Sequence, residues 1–466
     1  MKRAWLLMLL LACSEKKQEP LPAPPEPVPP PTTPLERARR QLAPELKPGP
    51  SALVALAFAQ VVAKQPEPAK ATLERALAAA RADQTTGGAV ALVEAVEVVL
   101  ALGDNAGATK LLDEAMLRMR RSIQGDELPA TLLGPYRIEA PLVIDRLAEP
   151  AAHNLKKLDL IEISSPAWYA VVGSARKSPP DVRGPTLVRL ATQARRAGKP
   201  VVATDLAREA AELVIEAPSA WAFDIARELA LGGSVKTTKQ VLALGPPLLA
   251  KREPRDRAVD LAKLAEVYAL LGDAGASKSF ENQALAAKQD EPALWSALAL
   301  AHAERSDPDG AVALARAHPE SAGEIAYALV EANQLGAAKR VLDEMGGQNL
   351  AEELDRIVAL EVRMGHIDSA RARALAAPKF QDATPGLDNV YRAYALTGDV
   401  PAIRELAAQD TGAKKRLSED AFVRLAARVL AGQRRCEDAI AAAKQIALNS
   451  AEVFAVIARY CPHATL

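Results

Sequence analysis

The chain has 466 residues, with Lys plus Arg equal to Asp plus Glu at 58 each and a formal net charge of zero. That balance gives no support to a phosphate-backbone reader, which needs a basic face or stripe, and the length excludes one compact helical core, since single cores stop growing near ~250–300 residues. Hydrophobic residues make up 49% but aromatics only 4%, an Ala- and Leu-rich composition that favours closely packed helices over a β-sandwich.

Lys2 and Arg3 precede an apolar run from Trp5 to Ala12. The run is too short to span a bilayer, which takes about 20 apolar residues, and fits the apolar part of a secretory signal over residues 1–12. It ends in Leu10-Leu11-Ala12-Cys13. This resembles the lipobox of bacterial lipoproteins, with Leu11 a less usual occupant of its place. The resemblance implies cleavage before Cys13 and lipidation of that residue, with palmitate among its acyl chains. Ser14 rather than Asp follows the cysteine; by resemblance to the Gram-negative sorting rule this implies the outer membrane, with the body facing the periplasm or the cell surface. Buried acyl carbons at ~0.8 kcal/mol each would make a firm anchor.

Residues 13–50 carry Pro20, Pro22, Pro24, Pro25, Pro27, Pro29, Pro30, Pro31 and Pro34. Proline at that density blocks helix and sheet ladders. A disordered, extended spacer is expected, its Pro-rich part reaching roughly 50 Å at ~3.1 Å per residue. A ligand for a proline-recognition groove is the alternative.

From residue 51 a pattern recurs. An apolar helix ends at a Gly or polar break, and a second helix then carries a small residue, Leu or Ala four later, and Ala about three after that. Leu102-Gly103-Asp104 followed by Ala108, Leu112 and Ala115 is the clearest copy; Gly198 with Ala203, Ala207 and Ala210, and Gly365 with Ala370, Ala374 and Ala377, follow it. The copies at Ala69 and Ala338 lack the glycine. Residues four and seven apart share a helix face, and small ones there let two backbones approach. A helix pair of this kind leaves an apolar face that only a neighbouring pair can bury.

These residues resemble tetratricopeptide repeats. Trp295-Ser296-Ala297-Leu298-Ala299 fits the family's first helix, as do Leu53 with Leu56 and Ala57, and Leu187 with Leu190 and Ala191. The key small residues Ala69, Ala108, Ala203, Thr238, Ser277, Ala311, Ala338, Ala370 and Ala439 lie mostly 27 to 39 apart, near the family period of about 34. The resemblance implies an all-α, right-handed superhelical solenoid of antiparallel helix pairs, with repeats over 51–121 and 185–448 and a capping helix over 449–466. The Pro-rich stretch 122–184 breaks the pattern. It is expected to be an irregular helical connector or a docking element, and Leu158-Asp159-Leu160-Ile161-Glu162-Ile163 within it fits a strand or a helix piece equally.

Cys436 and Cys461 lie 13 residues before and 12 after Asn449. In a helical hairpin turning there they sit side by side, so a disulfide stapling the last helix is expected, worth roughly 3 kcal/mol in the chain-entropy picture.

The motif search gives no HExxH, GxSxG, GxxxxGK[ST] or GxGxxG, and no paired metal-spaced histidines. His302 and His318 read as surface residues. No enzyme activity, cofactor or metal is expected. By resemblance, first helices line a concave groove, which here would present Val54, Phe58, Leu100, Phe223, Leu300, Tyr327 and Phe422, with Glu97, Arg195, Arg227, Glu266 and Arg392 between them. Apolar anchors among sparse charges suit an amphipathic helix or extended peptide. The expected function is a protein-binding scaffold of an envelope assembly or secretion machine, with protein or peptide partners and no nucleic acid. An envelope hydrolase or cell-wall enzyme with its site in 122–184, or a peptide- or solute-capturing lipoprotein, are the alternatives.

Overall fold

The computed structural model describes residues 32–42, 48–121, 129, 132, 133, 137–153, 161, 163, 165–287, 289–345, 348–377, 384–410, 415–446 and 450–466. The signal segment, Cys13 and the proline run up to residue 31 lie outside the described residues, as does most of 158–163.

Among the described residues every regular element is helical. In chain order these are α1 (Pro34–Gln41), α2 (Pro50–Val62), α3 (Pro66–Ala82), α4 (Thr86–Ala101), α5 (Asn105–Arg121), α6 (Pro141–His153), α7 (Pro166–Lys177), α8 (Pro180–Arg196), α9 (Pro200–Glu216), α10 (Ala222–Leu231), α11 (Val235–Leu242), α12 (Gly245–Leu249) and α13 (Pro254–Leu270). The second half holds α14 (Ala274–Ala286), α15 (Pro292–Glu304), α16 (Pro308–Ala317), α17 (Ala322–Glu331), α18 (Leu335–Glu344), α19 (Gln348–Arg363), α20 (Ile367–Ala376), α21 (Leu387–Thr397), α22 (Val400–Gln409), α23 (Lys415–Gly432), α24 (Cys436–Lys444) and α25 (Ala451–Tyr460).

The helices work in pairs, α2 with α3, α4 with α5, and so on to α23 with α24; first helices also pack on the first helix of the next unit. All nine small residues named from the repeat pattern are fully buried, as close backbone approach requires. Inside the pairs other than α6–α7, the chain reverses through a left-handed residue. At α4 the Gly103 N–H donates to Leu100 O and the Asp104 N–H to Val99 O, with φ of 88° at Gly103. This is the Schellman arrangement, which satisfies the last carbonyls of the helix. Lys64, Ser306, Asn333 and Arg434 take the same left-handed slot at φ of 59 to 62°, which explains the repeat copies without glycine.

Two expectations change. The stretch 122–184 contains α6 and α7, which pack together and add Leu147, Trp168 and Val171 to the core running from Leu53 to Val267. Of the prolines there, Pro141, Pro166 and Pro180 open helices as first residues, where a missing N–H costs nothing, and Pro150 stands inside α6. Within the expected spacer, residues 34–41 form α1. Pro34 stands at its first turn, the Thr33 hydroxyl accepts from the Glu36 N–H, and the Glu36 carboxylate accepts from the Thr33 N–H.

Helix α1 also closes the molecule. Helix α25 packs on α23 behind it and on α2 at the other end of the chain, as consecutive first helices do. Helix α1 lies against α25 in the place of its missing second helix. The last unit is therefore composite, its first helix C-terminal and its second N-terminal. Ala38, Leu42 and Leu56 share one core with Phe454 and Ile457. The Arg37 guanidinium sits 4.3 Å from the Phe454 ring centre, the Gln41 amide donates to Ser450 Oγ at 3.3 Å, and the Leu466 N–H donates to Thr32 O at 3.0 Å. The helix expected to cap an open end instead joins the two ends into a ring.

Candidate functional site: a filled interior and an apolar edge

Ring closure decides what the inward-facing first helices can do. Their side chains meet one another, in two constellations. The first lies where α8, α10, α13 and α17 converge. Arg196 donates to Glu331 at 2.7 Å, and Arg227 donates to the other Glu331 oxygen at 2.7 Å. Arg227 also reaches Glu266, and Glu228 at 3.2 Å, while Arg195 donates to Glu228 at 2.7 Å. The Tyr327 ring lies 5.6 Å below the Arg196 guanidinium and 5.1 Å from that of Arg356. Three guanidiniums thus face three carboxylates, with Glu228 and Glu266 buried and the rest partly buried.

The carboxylates divide by environment. Burial pushes Glu266 up to about 7, against the pull of Arg227. Burial also opposes the charge on Glu331, but Arg196 and Arg227 outweigh it and hold this group at about 2. Arg227 stays charged because Glu266, Glu331 and Glu228 offset its desolvation. Burial raises neighbouring Glu304 as well.

The second constellation sits at the closure. Arg459 of α25 donates to Glu97 of α4 at 3.2 Å and to Glu139 at 3.1 Å, and its guanidinium lies 3.9 Å from the Phe58 ring centre. Tyr460 Oη donates to Glu139 at 2.7 Å. Glu97 also accepts the backbone N–H groups of Glu139 and Ala140 at 2.5 and 2.7 Å.

The expected groove residues are therefore brought together but not offered to a guest. Val54, Glu97, Phe223, Glu266 and Leu300 are buried, and Phe58 and Leu100 pack against the core. Arg195, Arg227 and Tyr327 belong to the ionic cluster. Phe422 stacks on Tyr391 with ring centres 5.3 Å apart, and Arg392 alone of the set stands exposed. The expectation of an open concave groove is corrected accordingly: the curvature is tight enough for first helices to fill the interior. His302, expected at the surface, is buried and bonded to Asp307 at 2.7 Å. Cys436 and Cys461 are joined by a disulfide with Cα atoms 5.8 Å apart, which fastens α25 to α24.

What the sequence reading missed lies outside. Of the large apolar side chains that are exposed among the described residues, Leu117, Leu142, Tyr169, Val201, Ile215 and Val235 fall on the arc α5–α11, and only Leu285 and Leu396 fall elsewhere. Tyr169, Val201 and Val235 are 60%, 72% and 47% exposed, each within the first four residues of α7, α9 and α11. Successive second helices begin on the same edge of such a stack, so all three exposed side chains belong to that edge. Exposed large apolar side chains gathered on one edge of a surface mark places where something binds. Their spacing of 32 and 34 residues was the available signal.

The fold defines the class: the chain is an all-α helical-repeat protein of tetratricopeptide-like type. No protein family and no curated protein matches the sequence. Among solved structures, a human IFIT1 dimer with m7Gppp-AAAA is similar at 13% identity and a TM-score of 0.24, covering 89% of this chain and 81% of that one. A circular tandem repeat protein with novel repeat topology is similar at 13% identity and a TM-score of 0.18, covering 88% and 93%.

Proposed function

We propose that this protein is a lipid-tethered scaffold of the bacterial envelope that docks a partner protein on one edge of its ring. The observation that carries the reading is the set Tyr169, Val201 and Val235, left exposed while the inner face is occupied by the protein's own side chains. A partner with an apolar face would bury that set, each large side chain contributing roughly 1.5–3 kcal/mol when fully covered. The lipobox-like Leu10-Leu11-Ala12-Cys13 supports an anchor at Cys13, Ser14 supports an outer-membrane address, and the Pro-rich composition that follows suits a spacer. Envelope assembly or secretion is the process this combination suits.

The test uses the full chain at native expression. Pull-down from detergent-solubilised envelopes should recover a stoichiometric partner with the wild type and lose it with Tyr169→Ser/Val201→Ser/Val235→Ser, at unchanged thermal stability. Recovery of no partner, or equal recovery with the triple variant, rejects the docking edge. Separately, Cys13→Ser should abolish palmitate labelling and release the chain from membranes; retained label would reject the anchor.

A further inference from the structure

We propose that Asp290, His318 and Glu320 form a binding site for one divalent transition-metal ion, of which zinc is the type. Asp290 precedes α15, while His318 and Glu320 flank Pro319 between α16 and α17. One ligand atom from each residue lies within 4.8 Å of the other two. Donors held at ~2.0–2.2 Å by one tetrahedral ion sit roughly 3.4 Å apart, so side-chain rotations that move these atoms by about an ångström complete the geometry.

The three positions are fixed from behind. The His318 N–H donates to Leu314 O at 2.9 Å and its carbonyl accepts from Ser321 at 3.0 Å, and Pro319 stiffens the link between the two ligands. The Trp295 ring stacks on the His318 ring, centres 3.5 Å apart and 20° from parallel, and its Nε1–H donates to Asp290 Oδ1 at 2.8 Å. One buried indole thus orients two of the three ligands, the service that outer partners render at metal sites.

The local charge asks for a cation. Glu320 faces the His318 ring at 3.6 Å. The neighbouring guanidiniums are engaged elsewhere, Arg316 with Glu344 and Arg255 with Glu291. One imidazole and two carboxylates form a set of intermediate softness, suited to Zn(II) before Mn(II) and poorly to Ca(II). A bound ion would join the turn before α15 to the turn before α17 and so clamp adjacent units. Glu320 also borders an open cleft of about 560 Å³ lined by Arg316, Glu324, Glu344 and Glu353.

The experiment is calorimetric titration of the EDTA-treated, disulfide-intact chain with ZnCl2, MnCl2 and CaCl2. One equivalent of Zn(II) should bind with a micromolar or lower Kd, ahead of Mn(II), and shift the fluorescence of the adjacent Trp295. Asp290→Asn and Glu320→Gln, both at exposed positions, should weaken Zn(II) at least about tenfold without changing Tm in EDTA, and His318→Ala should do the same to binding. A Zn(II) Kd weaker than ~100 μM, or binding unchanged by Asp290→Asn and Glu320→Gln, would overturn the assignment.

Discussion

Glu331 ties α17 to α8 and α10 through two guanidiniums, and its replacement by Gln measures what holds the interior together. The substitution keeps size and removes the charge. Arg196 and Arg227 would then remain largely buried with one carboxylate fewer between them, and breaking such a buried pair costs roughly 3–5 kcal/mol. The proton equilibrium gives a second figure. Glu331 is held at about 2 against an ordinary value of 4.5, which corresponds to roughly 3 kcal/mol at ~1.4 kcal/mol per pKa unit. Its folded value is depressed, so this stability is complete above pH 4.5 and is lost as pH falls toward 2. Urea unfolding followed at 222 nm should show Glu331→Gln less stable by about 3 kcal/mol at pH 7, with the gap narrowing steadily below pH 4.5 as the wild type takes up the same proton. A loss under about 0.5 kcal/mol at pH 7, the size expected of a surface pair, or a loss independent of pH, would refute the buried-cluster reading.

The remaining predictions concern the same skeleton. Glu266 behaves oppositely to Glu331: its folded value of about 7 lies above 4.5, so the native chain holds the extra proton and wild-type stability should fall as pH rises from 4.5 to 7. Glu266→Gln should flatten that slope in midpoint-against-pH curves, and an unchanged slope counts against the assignment. Lys64→Gly, at φ 59°, should raise stability by about 1 kcal/mol because only glycine occupies the left-handed slot without strain. Gly398→Ala should lower it by about 1–3 kcal/mol, since the new Cβ would meet Leu430 Cδ2 at 2.6 Å in a packed core; equal melting temperatures for both variants would contradict the turn geometry. Cys436→Ala/Cys461→Ala should cost about 3 kcal/mol for a loop of this length, read as a lowered melting temperature that matches the reduced wild type.

The units were legible in the sequence because their signals are local. Small residues at helical spacing reported close packing at Ala69, Ser277 and Ala439 alike. Glycine reported the left-handed turn at Gly103 and Gly198. The same turn at Lys64 and Ser306 was silent, because packing of the flanking helices forces a conformation that those residues do not favour. Helix α1 was hidden beneath the proline count, although Thr33-Pro34-Leu35-Glu36 carries a capping box with proline at the first turn, a start signal that outweighs composition. The groove misled for another reason. Whether first helices line an open surface or fill a closed interior depends on small rotations between units, and no single repeat encodes their sum. Phe223 and Arg227 look the same in either case. The exposed apolar edge went unread because an exposed valine at a helix start, such as Val201, is ordinary alone and informative only beside others.

Closure of the ring by the composite unit can be tested by placing cysteines at Gln41 and Ser450, whose side chains lie 3.3 Å apart across 409 residues of chain. In dilute Gln41→Cys/Ser450→Cys, a short bis-maleimide reagent, which bridges the gap left by the shorter cysteine side chains, should form a link within one chain, seen as a monomer of altered mobility on a denaturing gel and as a peptide joining the two positions by mass spectrometry. Absence of that link, or links only between chains, would mean that α1 does not complete the last unit of its own molecule.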